Sequence, residues 1–405
     1  MTTNATVRFL DRNSPPHIFT LIVLTGLGAL TMNIFLPSLP QMTEHFQTDY
    51  RVMQLSVALY LAVNAVVQIV IGPISDRFGR RPVLLVGLSV FMVATVGCLL
   101  ATTIEVFLFF RMLQAVVVVG LVLGRAVVRD MYPADQAASQ IGYVTMGMAV
   151  VPMIGPAIGG VLDEYFGWQA NFWMLLVLGA SVLLLIWRDL GETAGSTSTS
   201  FAAQFAEYPE LLTSRRFWGY CMSAAFASGA FFAYLGGAPF VGSEVFALSP
   251  AAVGFYFGAP ALGYFFGNWI SGRYSVRLGI NTMILYGAVV SAMGLICSLL
   301  VFLAGFKTAL VFFGFMSFVG VGNGMVLPNA TSGMLSVRPH LAGTASGLGG
   351  AIMLGGGAVL SGAAGALLQR GDGAYPLIWM MLATALLGVC AIVYTIRRER
   401  QVNGV

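Results

Sequence analysis

Charge is what this sequence has least of. Only 9% of its 405 residues are Asp, Glu, Lys or Arg, while 58% are hydrophobic and the mean hydropathy is +0.85. Water-soluble domains carry about 25% charged residues, so that scarcity excludes a soluble enzyme and a disordered chain alike. Lysine is nearly missing. Lys307 is the only one and lies in a short connection, so a retinal-type Schiff base has no attachment point within a span. The three histidines (His17, His45, His340) are far apart and near ends or connections, which leaves a membrane enzyme without its cluster of polar groups. No run of basic residues exceeds two or three, so nucleic acid is not an expected partner. The four cysteines (Cys98, Cys221, Cys297, Cys390) lie in apolar runs without short spacing, which argues against disulfides and a metal site. The 49 glycines have no G-X-Y period, so collagen is excluded; glycine is frequent in membrane helices.

What is present is apolar runs of membrane length. A helix crossing the hydrocarbon layer needs about 20 apolar residues. Runs of that kind fall at 18–40, 52–73, 82–101, 105–128, 139–161 and 170–187, then at 217–240, 251–272, 281–304, 308–331, 343–368 and 376–396. The expected fold is therefore all-α and integral to a membrane, with twelve transmembrane helices in two six-helix halves. Short alternating segments, the mark of a transmembrane barrel, are absent. The first run is too long for the apolar part of a leader and ends in Leu36-Pro37-Ser38-Leu39-Pro40 without a small-residue cleavage site, so it is kept as a span.

The arginines set the expected orientation. With the amino terminus in the cytoplasm, fifteen basic residues fall on the inner side and three (Arg51, Lys307, Arg370) on the outer, leaving Arg111 and Arg125 inside a span. The positive-inside rule then puts both termini in the cytoplasm. The polar, Ser/Thr-rich stretch 188–216 has the composition of a flexible cytoplasmic linker. It divides an N-terminal half, 1–187, from a C-terminal half with a short tail, 217–405.

The halves echo one another. Gly72-Pro73-Ile74-Ser75-Asp76-Arg77-Phe78-Gly79-Arg80 follows span two, and Gly272-Arg273-Tyr274-Ser275-Val276-Arg277-Leu278-Gly279-Ile280 follows span eight, with Gly, Ser, Arg and Gly aligned. Gly155-Pro156-Ala157-Ile158-Gly159 in span five has a weaker echo in Ser361-Gly362-Ala363-Ala364-Gly365 of span eleven. Two related six-helix halves are a transporter architecture, with the substrate site between them.

Three constellations carry chemistry. In the first, Gly72 and Gly79 permit a tight connection, while Asp76 suits a helix terminus and a basic neighbour such as Arg77 or Arg80; topology alone would account for Arg77, Arg80 and Arg81. In the second, Arg111 stands about 9 Å into span four, at 1.5 Å per residue. A buried arginine there needs a cavity or a partner; snorkelling towards the rim, with Glu105 as exposed partner, is the other reading. Gln114 lies one turn further in. In the third, Pro152, Gly155, Pro156, Gly159 and Gly160 give span five a kink and a smooth packing face.

These residues resemble the major facilitator superfamily. Gly72 to Arg81 is similar to its signature between spans two and three, Arg111-Met112-Leu113-Gln114-Ala115 to its span-four motif, and Val151 to Gly160 to its span-five antiporter motif. Leu36-Pro37, Gly124 to Tyr132 (including Arg129-Asp130) and Leu327-Pro328-Asn329-Ala330 narrow the resemblance to the bicyclomycin/chloramphenicol-resistance branch of drug:proton antiporters. It implies alternating-access export of a small amphipathic compound such as an antibiotic, with the proton as coupling ion and no other cofactor, by a monomer in the bacterial inner membrane. It also implies that Asp76, Arg77, Arg80, Arg129 and Asp130 form a cytoplasmic gate, and that the span-five face lies where the halves meet.

The sequence departs from that pattern at Asn33, where relatives usually hold an aspartate that looks like the proton-binding group. Acids elsewhere (Glu105, Asp163, Glu164, Glu244) fall at outer ends of spans. A neutral mimic of a protonated aspartate, coupling through a rim carboxylate, and a facilitator all remain open, as does an importer of a small metabolite. The expected substrate or coupling pathway takes in Asn33, Tyr60, Gln68, Arg111, Gln114, Tyr143, Tyr234, Tyr256, Asn268 and Asn329, with Met32, Asn64, Met146, Phe231, Tyr264 and Asn323 as further lining. Such a lining suits weakly polar ligands of aromatic size.

Overall fold

Residues 8–14, 16–132, 140, 144, 151, 154–193, 208–338, 341–368, 371 and 373–403 are described by a computed structural model. Helices dominate it, and there is no strand among the described residues. In chain order they are α1 (Ile18–Asn33), α2 (Tyr50–Phe78), α3 (Arg80–Leu100), α4 (Ile104–Met131), α5 (154–166) and α6 (Gln169–Asp189). The second set is α7 (Arg215–Phe240), α8 in two pieces (Pro250–Tyr256 and Gly258–Leu278), α9 (Ile280–Leu303), α10 (Ala309–Val337), α11 (Ala342–Leu367) and α12 (Tyr375–Asn403). Among the described residues, ten helices are long and apolar enough to cross a membrane. The fifth expected span, 139–161, lies largely outside the described residues, and the eighth is the one broken at Phe257.

Local chemistry starts these helices. Asp49, Thr103, Ser214, Ser249 and Thr308 stand just before α2, α4, α7, α8 and α10, and each side chain accepts a backbone N–H of the first turn. Such caps satisfy donors that the helix cannot pair itself. Several helices run past their apolar limits: α2 continues to Phe78 and α12 to Asn403, because a helix does not need apolar residues once it leaves lipid. The expected first span, 18–40, is instead interrupted. Pro37, which lacks an N–H, opens a 3₁₀ turn (Leu36–Ser38), and a short helix follows at Leu39–His45.

The repeat is visible in backbone angles. Gly79 has φ 93° and ψ 152°, Gly279 has φ 83° and ψ 152°, and their N–H groups donate to Ser75 and Ser275 carbonyls at 2.9 Å. That conformation is essentially confined to glycine, which explains why glycine recurs 200 residues on.

Each half is bound at its arginine-rich end. Asp189, closing α6, accepts from Leu10 N at 2.6 Å, His17 N at 3.0 Å and Thr20 Oγ1 at 2.6 Å. Glu192 accepts the first N–H groups of α3, from Arg80 and Arg81. In the other half, Glu399 gathers Arg216 (2.6 Å), the Tyr220 hydroxyl (2.8 Å) and the Asn281 amide, joining α7, α9 and α12. Of the stretch 188–216, residues 194–207 lie outside the described residues; Glu210 beyond them pairs with Arg338 at 2.8 Å.

Between the halves, every hydrogen bond seen among the described residues lies at the opposite, arginine-poor end. Tyr50 donates to the Gly236 carbonyl at 3.0 Å, Gln54 to the Ser361 hydroxyl at 2.9 Å, and Ala251 N to Glu164 at 3.2 Å. Around these bonds the backbones touch. A Cβ on Gly160 would collide with the Pro250 carbonyl, and one on Gly254 with the Pro156 carbonyl. The same Pro-x-x-x-Gly spacing on α5 and α8 thus docks reciprocally, each glycine on the other helix's proline carbonyl.

Candidate functional site

Where the arginine-poor ends meet, a cavity begins and runs between the halves toward the arginine-rich end. It has a volume of about 380 Å³ and draws on α1, α2 and α4 from one half and α7, α8, α10 and α11 from the other. Most of its wall is apolar: Met32, Leu121, Phe231, Phe232, Phe257, Leu327, Met334 and Met353. Scattered over this surface are Gln68, Arg125, Ser228, Tyr264, Asn323, Thr331 and Ser346, with no carboxylate among the described lining residues. Along α10 the lining recurs at Asn323, Leu327, Thr331 and Met334, the spacing of a single helix face.

Met32, Gln68, Phe231, Tyr264 and Asn323, singled out from sequence, line this cavity. The others are not among its described lining residues. Tyr234 is buried against Phe257, one of the lining rings, at 4.9 Å, and Tyr256 stacks on Phe313 at 4.9 Å. Asn268 donates to the Tyr264 carbonyl at 2.8 Å, and Asn329 to Ser271 Oγ at 2.8 Å and Met325 O at 2.7 Å. Tyr143 and Met146 lie outside the described residues. Of the polar lining, Ser228, Thr331 and Ser346 were not read from sequence. Nothing in the sequence set them apart, since each stands singly on its own helix, α7, α10 and α11.

Arg111 is 1% exposed and does not snorkel. Its guanidinium lies between two rings, 4.2 Å from the Phe35 centroid and 4.1 Å from that of Tyr60. Nε donates to Ser56 O at 3.3 Å, Nη2 to Thr31 O at 3.0 Å, and Nη1 to Gln114 Oε1. Gln114 passes the chain on, donating to Thr95 Oγ1 at 2.9 Å, which donates to Phe91 O at 2.7 Å. Every partner is neutral; Glu105 sits exposed in the first turn of α4. This arrangement ties α1, α2, α3 and α4 together. Asn33, 2% exposed, donates to Ala29 O at 2.6 Å, while its Oδ1 has no partner among the described residues. It lies against α5, where a Cβ on Gly155 would meet its own at 3.9 Å.

Asp163, placed at a rim by sequence, is 1% exposed. It follows Gly160 on α5 beside Ser38, and neither carboxylate oxygen receives a full hydrogen bond among the described residues. Ser38 already accepts from Asn171 at 3.0 Å, and Asn171 also donates to Gly159 O at 3.2 Å.

At the arginine-rich end, Arg80 bridges Asp76 (2.6 Å) and Asp130 (3.1 Å) and also donates to Ser75 Oγ. Arg81 donates to Trp187 O at 3.1 Å, Arg77 lies over the Phe78 ring at 5.4 Å, and Arg129 is exposed. Gly72 has open space beside it. These contacts stay within one half. Pro152 lies outside the described residues, whereas Gly155, Pro156, Gly159 and Gly160 face α1 and α8.

Comparison with known proteins follows the same lines. A family model described as Major Facilitator Superfamily matches residues 21–362. Multidrug resistance protein D of Escherichia coli (strain K12) is 30% identical over 396 residues, covering 95% of this chain and 97% of that protein. The chloramphenicol resistance protein of Pseudomonas aeruginosa is 30% identical over 374 residues, covering 90% and 88%. Among solved structures, a bacterial homolog of the human lysosomal transporter Spinster, inward-facing and occupied, superposes with a TM-score of 0.74 at 18% identity, covering 95% of this chain and 96% of that one.

Proposed function

The chain belongs to the major facilitator superfamily, and from that premise we propose that it exports small amphipathic compounds across the bacterial inner membrane by alternating access. One observation carries this reading: a largely apolar cavity between the halves, sealed at one end by backbone contact and extending toward the other. With the arginine-rich end in the cytoplasm, the cavity collects solutes from inside the cell. The relatives' names, which speak of multidrug and chloramphenicol resistance, support a drug-like cargo. Export then requires the α2/α11 and α5/α8 seams to part while the arginine-rich ends close, taking Asp76, Arg80 and Asp130 from contacts within one half to contacts with the other. Accumulation of amphenicols, bicyclomycin and dyes in efflux-deficient cells tests the proposal. Expression lowers accumulation if it holds; unchanged accumulation with growth on a sole nutrient marks an importer instead.

The coupling ion we propose is the proton. Asn33 cannot carry it, because an amide neither takes up nor releases a proton at ordinary pH. Asp163 is a buried carboxyl on α5, the helix that docks on α8, and in this reading it becomes hydrated when α5 and α8 separate. Substrate-driven proton flux in vesicles separates the cases. Asp163→Asn abolishes flux if Asp163 is the carrier. A gain in Asn33→Asp assigns the role to position 33, and absence of flux in all three proteins makes the chain an uncoupled facilitator.

A further inference from the structure

Arg125 is the charged group in the cavity for which the fold has no evident use. It lies on α4, half-buried, its side chain lining the space between the halves opposite Tyr264 of α8. The other arginine of this helix shows how the fold satisfies a buried guanidinium: Arg111 has two aromatic faces and three neutral acceptors. Arg125 has no such set. It forms no ion pair and no side-chain hydrogen bond among the described residues, and the nearby acid Asp130 is engaged by Arg80 and Thr193. Its neighbour Arg129 adds charge of the same sign.

We infer that the cavity selects amphipathic anions over cations of the same shape, with Arg125 as the group that meets the negative substituent. The inference deepens the efflux reading and rests on it. An arginine keeps its charge under all physiological conditions, so this group cannot serve as a proton carrier. A fixed charge on a low-dielectric wall focuses its field into the adjoining space. The described lining contains no carboxylate, and Asp130, the acid nearest along α4, is held by Arg80, so an organic cation meets repulsion that no carboxylate on the described wall compensates. Discrimination of this kind needs a repulsive element as well as an attractive one, and Arg125 supplies both. The wall around it is apolar enough to hold the rest of an amphipath, and Gln68, Asn323 and the Tyr264 hydroxyl can orient its polar parts.

The test uses two ions of matched shape and opposite sign. Tetraphenylborate and tetraphenylphosphonium are equilibrated by dialysis with the purified full-length protein in detergent, each corrected for protein-free micelles, alongside chloramphenicol as an uncharged probe. The expected result is borate binding about tenfold or more tighter than phosphonium, lost in Arg125→Gln and retained in Arg125→Lys. Equal affinities, a preference for the phosphonium, or a preference that survives Arg125→Gln would overturn it. The wild-type comparison stands even if a variant fails to fold. Chloramphenicol binding without a borate preference sinks the charge selection alone; binding of none of the three probes sinks the efflux reading beneath it.

Discussion

Truncating Arg111 to alanine removes a side chain that four helices share. Each ring contact contributes about 0.5–2 kcal/mol, and the Thr31 and Ser56 carbonyls would lose their donors inside the bundle. Arg111→Ala is therefore expected to reach the membrane in normal amount, because apolar length governs insertion, yet to export at less than about a tenth of the wild-type rate, a loss of over 1.4 kcal/mol. Initial efflux rate normalised to protein in isolated membranes measures this. Arg111→Lys should rescue little, since an ammonium cannot reproduce a planar group stacked between two rings and bonded in its own plane. The depth of Arg111 and its need for partners were legible in sequence. Its enclosure by Phe35 and Tyr60 was not, because which rings close over a side chain depends on how α1 and α2 pack, and no spacing within α4 contains that.

At the scale of the element, the paired glycines offer a controlled comparison. A Cβ at Gly279 would meet no atom within 4 Å, so Gly279→Ala isolates the cost of the backbone conformation, about 1–3 kcal/mol. A Cβ at Gly79 would also collide with the Glu192 carboxylate that caps α3. Gly79→Ala should lower the melting temperature in detergent further than Gly279→Ala, and the gap should shrink when Glu192 is first replaced by alanine. The repeat that led to these glycines was readable because a special backbone angle demands one residue type. The reciprocal docking of Pro156–Gly160 and Pro250–Gly254 was hidden for the opposite reason. Pro250 precedes the expected eighth span, and nothing about one helix reveals which carbonyl will lie against its glycine.

For the molecule as a whole, the two halves can be stapled at the end where they meet. A Cβ on Gly362 would stand 3.5 Å from that of Ala58, within the range a disulfide requires. In Ala58→Cys/Gly362→Cys, oxidation should abolish export and dithiothreitol should restore it, with either single variant indifferent to both; transport that continues through the cross-link would show that α2 and α11 need not part. The twelve-helix plan followed from apolar length. The end at which the halves join did not, since joining depends on contacts between residues some 300 positions apart, such as Gln54 and Ser361.

The permanently charged wall of the cavity has an electrical consequence. Arg125 makes the same journey out and back in each cycle, so its own charge cancels and only the cargo's remains. A monoanion leaving a cell whose interior is negative moves with the voltage, which contributes about 2.3 kcal/mol per 100 mV. If one proton enters for each anion that leaves, two charges cross the field together and that contribution doubles. Such a carrier draws an inward current whenever it works, and collapsing the membrane potential should slow it even where the pH on both sides is the same.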